Sequence, residues 1–167
     1  LAWSCNRTSI PNCITYCLLG RIMAQEKIVA LTDLENWVQE FAAKLPDRAI
    51  ILLEGELGVG KTQLTKFLCT FLEIPYSASP TYSLINEYQG TKQMLYHLDL
   101  YRLENQQDLE SIGFWDLFSA ESAWICIEWA DKLDPEQLPL TWPRYQIQLS
   151  YHKEGAETER VLSYRQL

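Results

Sequence analysis

Ala49-Ile50-Ile51-Leu52-Leu53-Glu54-Gly55-Glu56-Leu57-Gly58-Val59-Gly60-Lys61-Thr62 decides the fold, because an apolar run passes directly into a full G-x-x-x-x-G-K-[ST] loop. A buried strand must stop there and a helix must begin around a polyphosphate. Glycines at 55, 58 and 60 allow backbone N–H groups to turn inward without Cβ clashes. The backbone of Glu56, Gly58, Val59 and Gly60 then forms an anion cradle, Lys61 brings a point charge to the β/γ-phosphates, and the Thr62 hydroxyl is a ligand for Mg²⁺. Downstream, Leu64, Phe67, Leu68, Phe71 and Leu72 recur at helical spacing, which is the strand–loop–helix context the motif requires. A chance glycine-rich turn would have to account for both flanking patterns as well.

Composition limits what can surround that loop. The chain has 167 residues, is 47% apolar and lacks an apolar run approaching the roughly 18 residues of a membrane-crossing helix, so it suits one domain with a single core and no membrane association. A net charge of −8 argues against a broad nucleic-acid surface, since phosphate-backbone binding rests on clustered Lys and Arg. The five cysteines, 5, 13, 17, 69 and 126, are odd in number and lack C-x-x-C spacing, which fits reduced thiols in a cytoplasm.

Residues 1–22 differ from the rest, with three of the cysteines, Arg7 and Arg21 as the only charges, and no sustained periodicity. They are expected to be a disordered or non-native upstream extension, with the domain occupying residues 23–167 from Met23 onward. From Ile28 the pattern is regular. A short strand over 28–31 precedes Thr32-Asp33-Leu34-Glu35, which reads as a capping box, and Leu34, Trp37, Val38, Phe41, Ala42 and Leu45 form a helical stripe ending before Pro46. That spacing makes Trp37 a core residue. Strands are expected over 82–88 and 94–100 across a hairpin-length link. A helix capped by Asn105 follows through Ile112, then a short turn at 114–118 and the central strand Ala123-Trp124-Ile125-Cys126-Ile127. A proline-containing connection over 132–143 and a terminal antiparallel hairpin complete the chain. The whole predicts an α/β fold, a single P-loop NTPase-like domain with a mixed, partly parallel sheet and flanking helices.

Phosphate chemistry needs an acid near the metal, and two sit at strand ends. Glu128 closes an apolar strand as a metal-holding carboxylate would. Asp99 lies in Tyr96-His97-Leu98-Asp99-Leu100-Tyr101-Arg102, where alternation puts His97, Asp99 and Tyr101 on the face opposite Tyr96, Leu98 and Leu100. Arg102 reads equally as an arginine finger or as a structural ion pair with Asp99.

The loop over 56–62, Ser79-Pro80-Thr81-Tyr82, His97-x-Asp99-x-Tyr101-Arg102 and Glu128-Trp129, in that order and spacing, resemble the TsaE family, formerly YjeE. The resemblance runs from about Ile28 to the terminal hairpin. It implies a cytoplasmic bacterial ATPase acting with TsaB, TsaD and TsaC in threonylcarbamoyladenosine modification of the adenosine next to the anticodon of ANN-reading tRNAs. The assisted step is threonylcarbamoyl transfer to tRNA by TsaD, with tRNA reached only through the TsaB–TsaD complex. Carried onto this chain, the resemblance makes Lys61 the phosphate lysine, Thr62 and Glu128 Mg²⁺ ligands, and Asp99 a catalytic or water-orienting carboxylate. It makes Thr81 a switch-like residue near the γ-phosphate, sets Trp129 beside the nucleotide, and brings Thr32 near the base. Ala130 departs from the proline that many members have after Glu-Trp. The expected reaction is slow, Mg²⁺-assisted attack of water on the γ-phosphate of ATP, stimulated by the partner complex.

A small-molecule kinase would share this loop but needs an acceptor pocket, often under an arginine-rich lid, and no such segment is visible. A GTPase-like switch is suggested by Asp131-Lys132-Leu133-Asp134, yet Asp131 stands where guanine reading requires Asn or Thr. A nucleotide-gated binding subunit that does not hydrolyse has the same sequence signals as a slow ATPase.

Overall fold

The computed structural model describes residues 25–75, 84–91, 93–103 and 106–167. The extension at 1–22, Met23, the Ser79-Pro80-Thr81 segment, Tyr82 and the Asn105 cap lie outside the described residues.

Among the described residues, seven strands form one sheet in the order β1-β7-β6-β2-β5-β4-β3. They are β1 (Gln25–Ala30), β2 (Arg48–Glu54), β3 (Ile85–Gln89), β4 (Met94–Asp99), β5 (Ala123–Glu128), β6 (Arg144–Tyr151) and β7 (Glu159–Gln166). The pairs β2–β5, β2–β6 and β4–β5 are parallel, whereas β3–β4, β6–β7 and β1–β7 are antiparallel. Parallel strands thus occupy the middle, where both faces are covered, and antiparallel strands lie outside them.

The near-continuous apolar runs of β2 and β5 follow from that position. Ala49, Ile51, Leu53, Trp124 and Cys126 face a core under helices α1 (Leu34–Ala42) and α2 (Lys61–Phe71). Ile50, Leu52, Ile125 and Ile127 face a second core under α3 (Gln106–Ser111) and the 3-10 turn Phe114–Ser119. The expectation of one core therefore becomes two apolar layers, one on each face of the sheet.

Two local expectations change. Thr32 and Glu35 do not form a capping box: α1 begins at Leu34 after Asp33, which makes no side-chain cap bond. The chain is turned instead by backbone, with the Asp33 N–H on the Ala30 carbonyl at 2.9 Å and the Leu31 N–H on the Thr158 carbonyl at 3.0 Å. That turn displaces Thr32 to an exposed position two residues before the helix. Strand β1 starts at Gln25 because β7 offers it a six-residue ladder. Trp37 is half-buried, stacked on Phe41 with centroids 5.2 Å apart and edge-on to Tyr164 at 6.1 Å.

Candidate nucleotide site

Strand β2 delivers the loop at its C-terminal end, where parallel sheets collect ligands. Gly55, Gly58 and Gly60 have φ of 136°, 77° and 123°. Gly55 also passes so close to β6 that a Cβ there would stand 2.2 Å from the Leu149 carbonyl oxygen. No side chain fits in that space, which is why the first glycine of the loop is required.

Helix α2 starts on Gly60, so Lys61 and Thr62 occupy its first turn. Leu64, Leu68 and Leu72 are buried as their spacing demands, with Thr65 and Cys69 beside them, while Phe67 and Phe71 flank the stripe half-buried. The ammonium of Lys61 donates to the carbonyls of Gly55 at 2.7 Å and Glu56 at 2.9 Å, and lies 3.9 Å from the Trp129 ring centroid. It is only 4% exposed. Burial lowers its pKa from the usual lysine range, while Glu128, Asp99 and Asp131 oppose that shift.

The acids arrive through sheet register. Leu53 on β2 and Asp99 on β4 both pair with Glu128 on β5, so the two carboxylates end adjacent strands beside the loop. The Thr62 hydroxyl donates to Glu128 Oε2 at 3.0 Å. His97 Nε2 lies 2.9 Å from Glu128 Oε1, and that ring is fully buried with Nδ1 lacking a partner among the described residues. Asp99 Oδ1 accepts the Tyr101 N–H at 3.0 Å. The expected sharing of a face by His97 and Asp99 holds by parity, whereas Tyr101 falls in the turn after β4; that face belongs to the apolar layer of α1 and α2, where His97 is a buried support for Glu128.

Gly58, Gly60, Lys61, Thr62, Asp99, Glu128 and Trp129 line one cavity of about 250 Å³, together with Leu57, Gln63 and Tyr101. Glu56 contributes its carbonyl to Lys61 while its side chain is exposed, and Val59 is buried beneath the loop. Thr32 does not line the cavity, although its neighbour Leu31 is 3.8 Å from where a Gly60 Cβ would stand. Thr81 lies outside the described residues. Arg102 is in the exposed turn after β4, not on the strand beside Asp99, because β4 ends at Asp99. Trp129 has a left-handed φ of 58° and packs 5.1 Å from Tyr101, and Ala130 opens the 3-10 turn Ala130–Lys132.

The suspected guanine-reading segment is spent on local structure. Lys132 Nζ donates to the carbonyls of Tyr101 and Leu103, and Asp134 Oδ1 accepts the Glu136 N–H at 3.0 Å. Leu57, Gln63 and Tyr101 in the lining carried no site signal in the sequence, and neither did Tyr151 and Arg160, which stand outside the lining and bond loop carbonyls from the terminal hairpin. An isolated Tyr and Arg on alternating strands carry no motif, and only the pairing of β6 with β7 brings them to the loop.

The donor set can be tested against a phosphate-bound divalent cation. Three carboxylates, Asp99, Glu128 and Asp131, lie near enough to act on the Lys61 ammonium. A hydroxyl and a carboxylate oxygen converge in Thr62 and Glu128, the hard oxygen donors that Mg²⁺ prefers. No cluster of three or more His, Cys, Asp or Glu suited to a metal occurs among the described residues. The residues therefore fit a cation completed by phosphate and water oxygens rather than a self-contained protein cage.

A strand, a glycine-rich loop and a helix, set against a sheet with parallel central strands, define a P-loop NTPase-like α/β protein. The family model described as Threonylcarbamoyl adenosine biosynthesis protein TsaE matches residues 28–162, and the chain belongs to the TsaE family. It is 40% identical over 113 residues to the tRNA threonylcarbamoyladenosine biosynthesis protein TsaE of Synechocystis, covering 65% of this chain and 70% of that protein. With the same-named protein of Nostoc it shares 37% identity over 119 residues, 70% and 71% of the two chains. The crystal structure of YdiB from Bacillus subtilis matches with a TM-score of 0.63 and 27% identity over 87% of each chain.

Proposed function

We propose that this chain is the ATPase of a tRNA threonylcarbamoyladenosine-modifying system, binding Mg·ATP at the loop over 55–62 and hydrolysing it slowly until partners stimulate it. The observation that carries the reading is the convergence of Lys61, Thr62, Asp99 and Glu128 on one cavity at the end of a parallel sheet. The inward N–H groups of the loop hold the phosphates and Lys61 adds charge to them. Thr62 and Glu128 hold the cation, with His97 fixing the Glu128 carboxylate. Mg²⁺, when bound, neutralises charge that develops on the phosphates. Asp99, on the strand next to Glu128, orients the attacking water. Trp129 packs beside the nucleotide, Thr81 senses the γ-phosphate and Thr32 approaches the base.

An acidic chain that leaves tRNA to others suits a TsaB–TsaD complex as its partner, in the cytoplasm. No helix of the described residues is long and apolar enough to cross a membrane. ATP is favoured over GTP because Lys132 and Asp134 are engaged locally.

Phosphate release from ATP, measured with and without TsaB–TsaD and tRNA, tests this reading. Low turnover alone and a rise with partners are expected, with Asp99→Ala retaining ATP affinity but losing the stimulation. Tight ATP binding without turnover in any combination would make the chain a nucleotide-gated binding subunit instead.

A further inference from the structure

Tyr151 and Arg160 are register partners on the last rung of the β6–β7 ladder, and the rung reaches the phosphate loop. Arg160 Nε donates to the Val59 carbonyl at 3.0 Å, and its NH1 to the carbonyls of Glu157 at 2.6 Å and Glu159 at 2.8 Å. The guanidinium lies 4.4 Å from the centroid of the Tyr151 ring, whose hydroxyl donates to the Leu57 carbonyl at 3.2 Å. Arg160 is buried, and no ion pair to it occurs among the described residues. Burying a guanidinium against carbonyls alone is costly, and three backbone acceptors with an aromatic face offset that cost only in part.

The geometry gives the arrangement a use. In a planar trans peptide the carbonyl of one residue and the N–H of the next point in opposite directions. Holding the Leu57 and Val59 carbonyls on the hairpin therefore turns the N–H groups of Gly58 and Gly60 away from it, and both glycines line the cavity. The Val59 N–H, between them, is instead taken by the Glu56 carbonyl at 3.3 Å. The rung itself is held from sliding by the turn beyond it. His152 Nδ1 and Glu159 Oε2 lie 2.9 Å apart, the Ala156 N–H donates to the same oxygen at 3.1 Å, and a Cβ on Gly155 would stand 1.9 Å from His152 Nδ1.

We infer that the Tyr151–Arg160 rung is a clamp that pre-organises the loop for a polyphosphate, both residues acting as positioning residues through the Leu57 and Val59 carbonyls. The inference rests on reading this loop as the nucleotide site. A loop already set for its anion spends less of its binding energy on ordering.

The test is calorimetric binding of Mg·ATP and of inorganic tripolyphosphate to the full chain and to Tyr151→Phe and Arg160→Lys. Tyr151→Phe removes one hydroxyl, and Arg160→Lys keeps the charge but not the Nε donor. Losing one such bond is expected to weaken both ligands by about 3- to 10-fold. Amide hydrogen exchange at Gly58 and Gly60 should quicken in both variants while thermal stability changes little in Tyr151→Phe. Where Arg160→Lys fails to fold, Tyr151→Phe decides alone. Unchanged affinity for both ligands overturns the clamp, and so does a loss confined to ATP, which would mean that the rung touches the nucleoside. If the folded parent chain binds neither ligand, the nucleotide-site reading itself fails, an outcome distinct from either.

Discussion

Thr62 and Glu128 stand 66 positions apart in sequence and meet through a 3.0 Å bond from the threonine hydroxyl to Oε2 of the carboxylate. One lies in the first turn of α2 and the other ends β5, so the bond ties the end of the loop to the neighbouring strand in the lining of the cavity. His97 holds the other carboxylate oxygen, leaving little freedom for Glu128 to turn away.

Thr62→Ala and Glu128→Gln should each sharply reduce the Mg²⁺-dependent part of ATP affinity while leaving metal-free nucleotide binding within about threefold of the parent. Removing one hard ligand from a cation that has few protein ligands weakens it by roughly tenfold or more. Calorimetry with Mg²⁺ or EDTA measures both terms. An undiminished Mg²⁺ effect in either variant would refute the assignment of the pair.

Lys61→Met should separate binding from stability. The ammonium is buried and its pKa is lowered by that burial, so replacing it with an apolar chain of similar length should change stability by no more than about 1 kcal/mol. ATP affinity should nevertheless fall at least about tenfold, because the charge on the phosphates is lost. Denaturant melts alongside ATP titration check this, and equal affinity in the two proteins would remove Lys61 from the site.

Gly55→Ala should be the most damaging single methyl in the loop. Its Cβ would meet the Leu149 carbonyl oxygen at 2.2 Å, at a φ of 136° that side chains rarely adopt. A loss of roughly 2 kcal/mol or more is expected from clash and backbone strain together. Gly58→Ala meets only the Tyr151 hydroxyl at 3.2 Å and should cost less. Urea midpoints that rank the two in reverse would contradict the close packing of the loop on β6.

The buried thiols predict alkaline weakening. Desolvation pushes Cys69 from the usual 9.0 up to about 12 and raises Cys126 as well. Below pH 9 these groups are protonated in both folded and unfolded chains and leave stability unaffected. Above it, only the unfolded chain releases its protons, so stability falls as pH rises. Between pH 9 and 10 the Cys69 thiol should account for about 1 kcal/mol of that fall, and Cys69→Ala should show a correspondingly flatter stability profile in denaturant melts. Identical slopes would mean that Cys69 is not held in its neutral form by the fold.

Local pattern determined much of this protein. The apolar run ending in three glycines, Lys61 and Thr62 specified strand, loop and helix because each step constrains the next few residues only. The alternation around Asp99 likewise specified that His97 and Asp99 share a face of β4, although Leu100 and Tyr101 lie beyond the strand end, and the burial of Ala123–Ile127 followed from its unbroken apolar character. Thr32 shows where such reading fails. The capping pattern was present, but a backbone turn tied to Thr158 on the far side of the chain set the start of α1. His97 read as one of three polar groups on a strand face, whereas the fold buries it completely and the neighbouring strand β5 gives it Glu128 as its partner. Tyr151 and Arg160 carried no signal, since their role exists only through the β6–β7 register and the approach of that rung to Leu57 and Val59. Sequence therefore determined which groups could do phosphate chemistry, whereas strand order and helix cover decided which of them meet, because contacts between residues tens of positions apart depend on the packing of the whole sheet.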